Sequence, residues 1–305
     1  MKGLVVTAAA LCLEITLVVS AHAQIKIGVG ASITGPNAAF GAQVMSGVKQ
    51  AVEDINGAGG ILGKQVTIVS GDDQADPRQG VSVANKLASD GVAAVIGHLN
   101  SGVSIPASEV YQDAGILEIT PTSTSPKFTE RNMWNTFRTC GRDDQQGEVA
   151  GRFIVKSFSG RSIAMAHDKS PYGRGLADEV KKYLNQHGVT EQLFEGINPS
   201  EKDYSALVSK LKASNVKALY YGGYHTEAGL ILRQMRDQGL DAVLISGDGL
   251  GTSEFTAIAG EGAEGTYFSS AVDQRKNPNA KGVVEHFLTK GINPESFTPL
   301  RLRGS

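Results

Sequence analysis

The strongest constraint in this chain is a rhythm. Short runs of β-branched and aliphatic residues alternate with segments whose apolar residues recur at helical spacing. Ile25-Lys26-Ile27-Gly28-Val29 reads as a strand, and the helix after it carries Val44, Val48, Val52 and Ile55 on one face before Gly57-Ala58-Gly59-Gly60 ends it. The same alternation predicts strands at 66–69, 93–96 and 115–119, with helices through Val81, Asn85 and Leu87 and over 101–113. A strand at 133–138 then delivers the chain to Thr139-Cys140-Gly141-Arg142, a crossing point. Beyond it come helix 145–156, strand 162–166, helix 175–187, strand 189–194, helix 204–212, strand 216–221, helix 227–238 and strand 242–245. Repeated βα units build parallel sheets flanked by helices. Two such series predict an α/β protein of two doubly wound parallel-sheet lobes joined by a hinge. Ligands of these sheets sit at the carboxyl ends of the strands, so facing lobes would line a cleft with strand-to-helix loops.

Length and charge agree with this reading. The 305 residues suit about two domains, and 41% apolar with 20% charged residues argues against disorder. With 29 basic against 31 acidic side chains there is no positive excess for nucleic acid. Residues 1–23 read as a secretory signal: Met1-Lys2, an apolar run from Gly3 to Val19 interrupted by Glu14, then Ser20-Ala21-His22-Ala23 as a cleavage site. No later segment is long and apolar enough to span a bilayer. Cys12 falls in the leader and leaves Cys140 as the only later thiol, so no intrachain disulfide is expected.

The loops after the strands carry the polar chemistry. Gly97-His98-Leu99-Asn100-Ser101-Gly102 leads into a helix, with Ser101 placed as an N-cap; a helix start attracts anions, though a capping serine alone would explain it. Thr120-Pro121-Thr122-Ser123-Thr124-Ser125-Pro126 follows the next strand, a hydroxyl-rich turn at the same sheet end. The second series adds His167-Asp168-Lys169-Ser170-Pro171-Tyr172-Gly173, Tyr220-Tyr221-Gly222-Gly223-Tyr224-His225 and Ser246-Gly247-Asp248-Gly249. Enzyme signatures are missing. Gly28, Gly30 and Gly35 do not make a dinucleotide fingerprint, there is no phosphate-binding Gly-Lys-Ser/Thr loop, and no nucleophile elbow occurs. The six histidines show no metal-ligand spacing, and His98, Asp168 and His225 read as groups that hold loops by hydrogen bonds. No catalytic residue, metal or cofactor is expected.

Several stretches together resemble the periplasmic leucine/isoleucine/valine-binding proteins of bacterial ABC importers. They are Thr34-Gly35-Pro36 with Phe40-Gly41, Ala51 to Asn56 with Gly59-Gly60, Val95-Ile96-Gly97-His98, Pro106-Ala107-Ser108, Gly115-Ile116-Leu117 and Ile119-Thr120-Pro121. Others are His167-Asp168-Lys169 with Tyr172-Gly173, Glu201-Lys202-Asp203 and Tyr220 to His225. The resemblance runs from about Ile25 to Phe297 and implies the type I periplasmic binding fold. It also implies an amino-acid zwitterion as ligand. Ser101 and Thr124, with amides near Thr122, would take the α-carboxylate; Asp248 would take the α-ammonium; Tyr172 and Tyr224 would close over the ligand from the second lobe. Asp248 is one methylene shorter than the Glu of the best-known member, Phe40 stands where Tyr is common, and Phe297 matches an aromatic of the side-chain pocket. Ala75 and Asn100 occupy the positions of the family's disulfide.

On that resemblance residues 1–23 form the signal peptide, 24–142 plus 272–305 the first lobe, and 143–271 the second. Thr298-Pro299-Leu300-Arg301-Leu302-Arg303-Gly304-Ser305 loses the family pattern, which predicts a first lobe cut short. The expected protein is a periplasmic monomer that binds a branched-chain or similar amino acid and meets an inner-membrane ABC permease. A sensor ectodomain for amino acids or amides, and an inactive truncated remnant, are the alternatives.

Overall fold

The structure, a computed structural model, describes residues 24–292 and Pro294. The expected leader, Phe297 and the tail at 298–305 lie outside these residues. Up to residue 138 the chain forms β1 (Ile25–Ala31), α1 (Ala38–Gly57), β2 (Val66–Asp72), α2 (Pro77–Ser89), β3 (Ala94–Ile96), α3 (Ser101–Asp113), β4 (Leu117–Thr120) and β5 (Thr136–Arg138). It continues with α4 (Asp143–Phe158), β6 (Ile163–His167), α5 (Pro171–Gln186), β7 (Leu193–Gly196), α6 (Ser205–Ala213), β8 (Ala218–Gly222) and α7 (His225–Asp237). The last elements are β9 (Val243–Ser246), α8 (Ser253–Ala259), β10 (Tyr267–Phe268) and α9 (Lys281–Thr289).

The strands make two five-stranded parallel sheets, ordered β2-β1-β3-β4-β5 and β10-β9-β8-β6-β7. Each sheet reverses its order of growth once, between β1 and β3 in the first and between β6 and β8 in the second. Loops leaving the two strands at such a point diverge and open a crevice at their carboxyl ends. The central strands β6 and β8 are buried at every residue, which is why they read as unbroken apolar runs instead of alternating ones. Leu176, Val180 and Leu184 of α5 pack on one face of the second sheet with Ile163 and Met165. Val208 and Leu211 of α6, with Ile231, Leu232 and Met235 of α7, cover the other face against Ala164, Leu219 and Leu244. Each such aliphatic side chain contributes about 1.5–3 kcal/mol on full burial.

Local signals explain where the helices begin. Asp76 caps α2 by accepting from the Arg78 and Gln79 amides ahead of Pro77. Ser170 caps α5 by accepting from the Gly173 amide at 2.9 Å, so this helix starts at Pro171, four residues before the expected start. Gly173 and Gly222 sit so close that a Cβ on either would strike the other's carbonyl oxygen, which seats the first turn of α5 on the end of β8. Ser101 is not the N-cap of α3. Asn100 takes that place with an extended backbone, and Ser101 is the first helical residue, its Oγ accepting from the Ser125 amide at 3.1 Å. Helices α8 and α9 and strand β10 were not read from the periodicity. Lys290, the residue after α9, reaches Gln50 Oε1 at 2.9 Å and Glu53 Oε2 at 2.5 Å on α1, so the end of α9 returns to the first sheet's side. Among the described residues no helix is long and apolar enough to cross a membrane.

Candidate ligand-binding cleft

Loops at the carboxyl ends of both sheets meet around one cavity of about 290 Å³, partly open to solvent. Phe40, Leu99, Ser101 and Thr122 line it from the first sheet's side, and Tyr172, Tyr224, Asp248 and Gly249 from the second. Six of the seven residues singled out in the sequence therefore stand together. Thr124 is the exception. It is buried, its carbonyl accepts from the Asp143 amide at 3.0 Å, and its side chain faces the Asp143 carboxyl. Leu99 and Gly249 were missed, although both lie inside loops flagged for their polar neighbours.

On the first side, the Ser101 and Gly102 amides lead α3 and have no acceptor within the helix, so they present partial positive charge at the cavity wall. The hydroxyl-rich turn is spent mostly on architecture. Thr120 Oγ1 donates to His98 O at 2.8 Å and Thr122 Oγ1 to Leu99 O at 2.8 Å, which locks the two loops together. Behind them His98 is fully buried, with Nδ1 at 2.7 Å from Asp73 Oδ2 and Nε2 at 2.9 Å from the Tyr111 hydroxyl. Ser32 bridges Asp73 Oδ1 and Asn100 Oδ1 at 2.8 and 3.0 Å, and the Asn100 side chain hydrogen-bonds the Tyr224 phenol across the cleft. The histidine thus holds loops.

On the second side, Tyr172 donates to Asp248 Oδ1 at 2.8 Å and accepts from the Gly249 amide at 2.9 Å. Tyr172 and Tyr224 pack with ring centroids 5.0 Å apart. Asp248 has its amide on Gln146 Oε1 at 3.2 Å, and burial pushes its carboxyl up to about 6. Asp168 accepts from the Ser170 amide at 2.9 Å, and His225 holds Glu254 through Nε2 at 3.0 Å, so both serve structure. The lobes touch. The His225 ring meets Phe40 edge-on at 5.1 Å, and Tyr224 packs against the Val29, Val44 and Leu99 cluster. Cys140 is half-buried, its Sγ 3.6 Å from Ser123 O, and burial pushes the thiol up to about 12, which keeps it protonated. Among the described residues no group of three or more His, Cys, Asp or Glu is placed to hold a metal ion.

The cavity can therefore offer helix-start amides and hydroxyls on one wall, a half-buried carboxyl on the other, and apolar surface from Phe40 and Leu99. Two doubly wound lobes in contact over such a cavity define a two-lobe, cleft-type binding protein. The chain belongs to the periplasmic binding protein family, whose model matches residues 24–296, and it has the type I fold of that family. It is 55% identical over 279 residues to the Leu/Ile/Val-binding protein homolog 1 of Brucella melitensis, across 92% of this chain and 75% of that one. The substrate-binding protein LivJ of a branched-chain amino acid transporter from Streptococcus pneumoniae, solved with isoleucine, superposes with a TM-score of 0.81 at 28% identity, covering 90% of this chain and 80% of that one. The leucine-binding protein LivK of Thermotoga maritima gives 0.83 at 27% identity, with 90% and 78% covered.

Proposed function

We propose that this protein is a periplasmic receptor that captures a branched-chain amino acid between its lobes and delivers it to an ABC permease. The observation that carries the reading is the joining, in one cavity, of the α3 helix start and the Asp248 carboxyl, with Phe40 and Leu99 between them. A zwitterion leaves water without penalty only where both of its charges are met. Ser101 and the amides beside it take the α-carboxylate with Thr122, Asp248 takes the α-ammonium, and Thr124 braces the site from behind. Tyr172 orients Asp248, and Tyr224 closes the cleft against the first lobe. Phe40 and Leu99 receive an aliphatic side chain, a choice that one methylene alters by about 1–3 kcal/mol.

The relatives support this reading, since they are named for leucine, isoleucine and valine and one was solved with isoleucine. Residues 24–142 with 272–292 form one lobe and 143–271 the other, and domain closure about the crossing near residue 140 traps the ligand. The receptor works as a monomer, after export by its leader, without nucleic acid and without catalysis. Isothermal titration of the folded protein with leucine, isoleucine, valine, alanine and small amides tests the proposal. Saturable heat with the branched-chain amino acids supports it. Absence of heat with every amino acid, from protein with native circular dichroism, overturns it.

A further inference from the structure

The proposed function uses one carboxyl, Asp248, yet a second is sealed in behind it. Asp143 opens α4 and has no exposed surface. A single side chain ties the two acids together: Gln146 Nε2 donates to Asp143 Oδ1 at 3.5 Å, and Gln146 Oε1 accepts from the Asp248 amide at 3.2 Å. Asp143 Oδ2 is buried, and the Thr124 hydroxyl faces its carboxyl. The Tyr220 hydroxyl, which faces both carboxyls, is buried without a hydrogen bond among the described residues. An orphaned polar atom of this kind is costly in a fold's interior, and here it stands beside the two acids.

The other groups that face the pair do not neutralise it. Tyr172 of α5, Tyr220 of β8, Tyr224 before α7 and Cys140 are uncharged, each held protonated by burial. Asp144 adds negative charge. Arg138 is the cation that faces Asp143 and draws its carboxyl down, but less than burial and the Asp248 charge push it up. Its guanidinium donates to the carbonyls of Ser123 and Ser125 at 2.7 Å each and to Thr129 Oγ1 at 2.9 Å, and its Nε is buried without a partner among the described residues. Burial holds both carboxyls above the usual carboxylate range, and for Asp143 the neighbouring Asp248 charge adds to it.

We infer that Asp143 and Asp248 form a proton-holding pair behind the ammonium subsite, and that entry of an amine ligand drives a proton from the pair into solvent. The inference rests on the proposed function above. In the step the ligand keeps its –NH3+ group, one carboxylic O–H bond breaks, its electron pair stays on the carboxylate, and the proton passes to buffer. Asp143 does not line the cavity, so it is a positioning residue that acts through Gln146 and the charge on Asp248. Receptor affinity then weakens as the medium turns acid.

The test is calorimetric titration of the whole protein with leucine near pH 6, in buffers of differing ionisation enthalpy, which counts the protons exchanged. Release approaching one proton is expected, vanishing in alkaline buffer, with affinity rising by up to about tenfold per pH unit over the acid range. Asp143→Asn is expected to cut the release by about half or more while circular dichroism stays native. Tight leucine binding with heat independent of buffer, or an undiminished proton count in folded Asp143→Asn, overturns the pair and leaves the receptor reading intact. Folded protein that gives no heat with leucine or any other amino acid overturns both. Should Asp143→Asn fail to fold, the pH course of the unmodified protein's proton count decides alone.

Discussion

Asp248→Asn should weaken the ligand and strengthen the fold. The half-buried carboxyl is lifted from 3.8 to about 6, and at about 1.36 kcal/mol per pH unit, reduced by the solvent in the cleft, this amounts to at most about 3 kcal/mol. Because its folded pKa lies above the unfolded one, the carboxyl destabilises the fold fully above about pH 6 and ceases to do so below 3.8. Asparagine has nearly the same shape and can still accept from the Tyr172 hydroxyl, so at neutral pH the variant should melt several degrees higher. Its affinity should move the other way. An ammonium left without its counter-charge loses about 3–5 kcal/mol, roughly two to four decades in Kd. Melting curves at neutral and acid pH, with calorimetry against leucine, read both effects. The melting advantage should disappear near pH 4. Unchanged affinity would mean that Asp248 is not the ammonium's counter-charge, and a lower melting temperature at neutral pH from a variant with native secondary structure would mean that its charge does not strain the fold.

Other residues give narrower outcomes. Tyr172→Phe removes the hydroxyl that donates to Asp248 and accepts from Gly249, so leucine should bind about 10- to 100-fold more weakly by calorimetry while Tyr224 still covers the cleft. Gly222→Ala sets a Cβ against the Gly173 carbonyl and should lower stability by more than about 2 kcal/mol in urea unfolding; equal midpoints would count against the close approach. Cys140 should resist iodoacetamide at mildly alkaline pH until denaturant is added, as read by peptide mass, because burial keeps its thiol protonated. Rapid labelling of the native protein would mean that the thiol is open to solvent.

The alternation of strands and helices was legible because strands buried on both faces are nearly continuous apolar runs, as residues 163–166 and 218–221 show. Element ends were less so. Ser170-Pro171 is a readable helix start, yet the apolar spacing alone placed α5 four residues late. The cleft loops could be found in the sequence because parallel βα units put every such loop at one end of its sheet, while the choice of Ser101, Tyr172, Tyr224 and Asp248 within them came from the family resemblance. What stayed hidden depends on contacts between distant segments. No pattern marks Asp143 as the partner of Asp248, since Gln146 joins them only after folding. Nor does any local signal show that Asp73, His98 and Tyr111 form one buried chain, or that Thr124 turns from the cavity toward Asp143.

A crystal structure of the leucine complex shows directly whether one zwitterion bridges the start of α3 and Asp248. The expected density has the α-carboxylate on Ser101 and its neighbouring amides, the α-ammonium about 3 Å from the Asp248 carboxylate, and the isobutyl group against Phe40 and Leu99. A leucine bound elsewhere, or lodged in the cleft with its ammonium away from Asp248, would contradict that bridge.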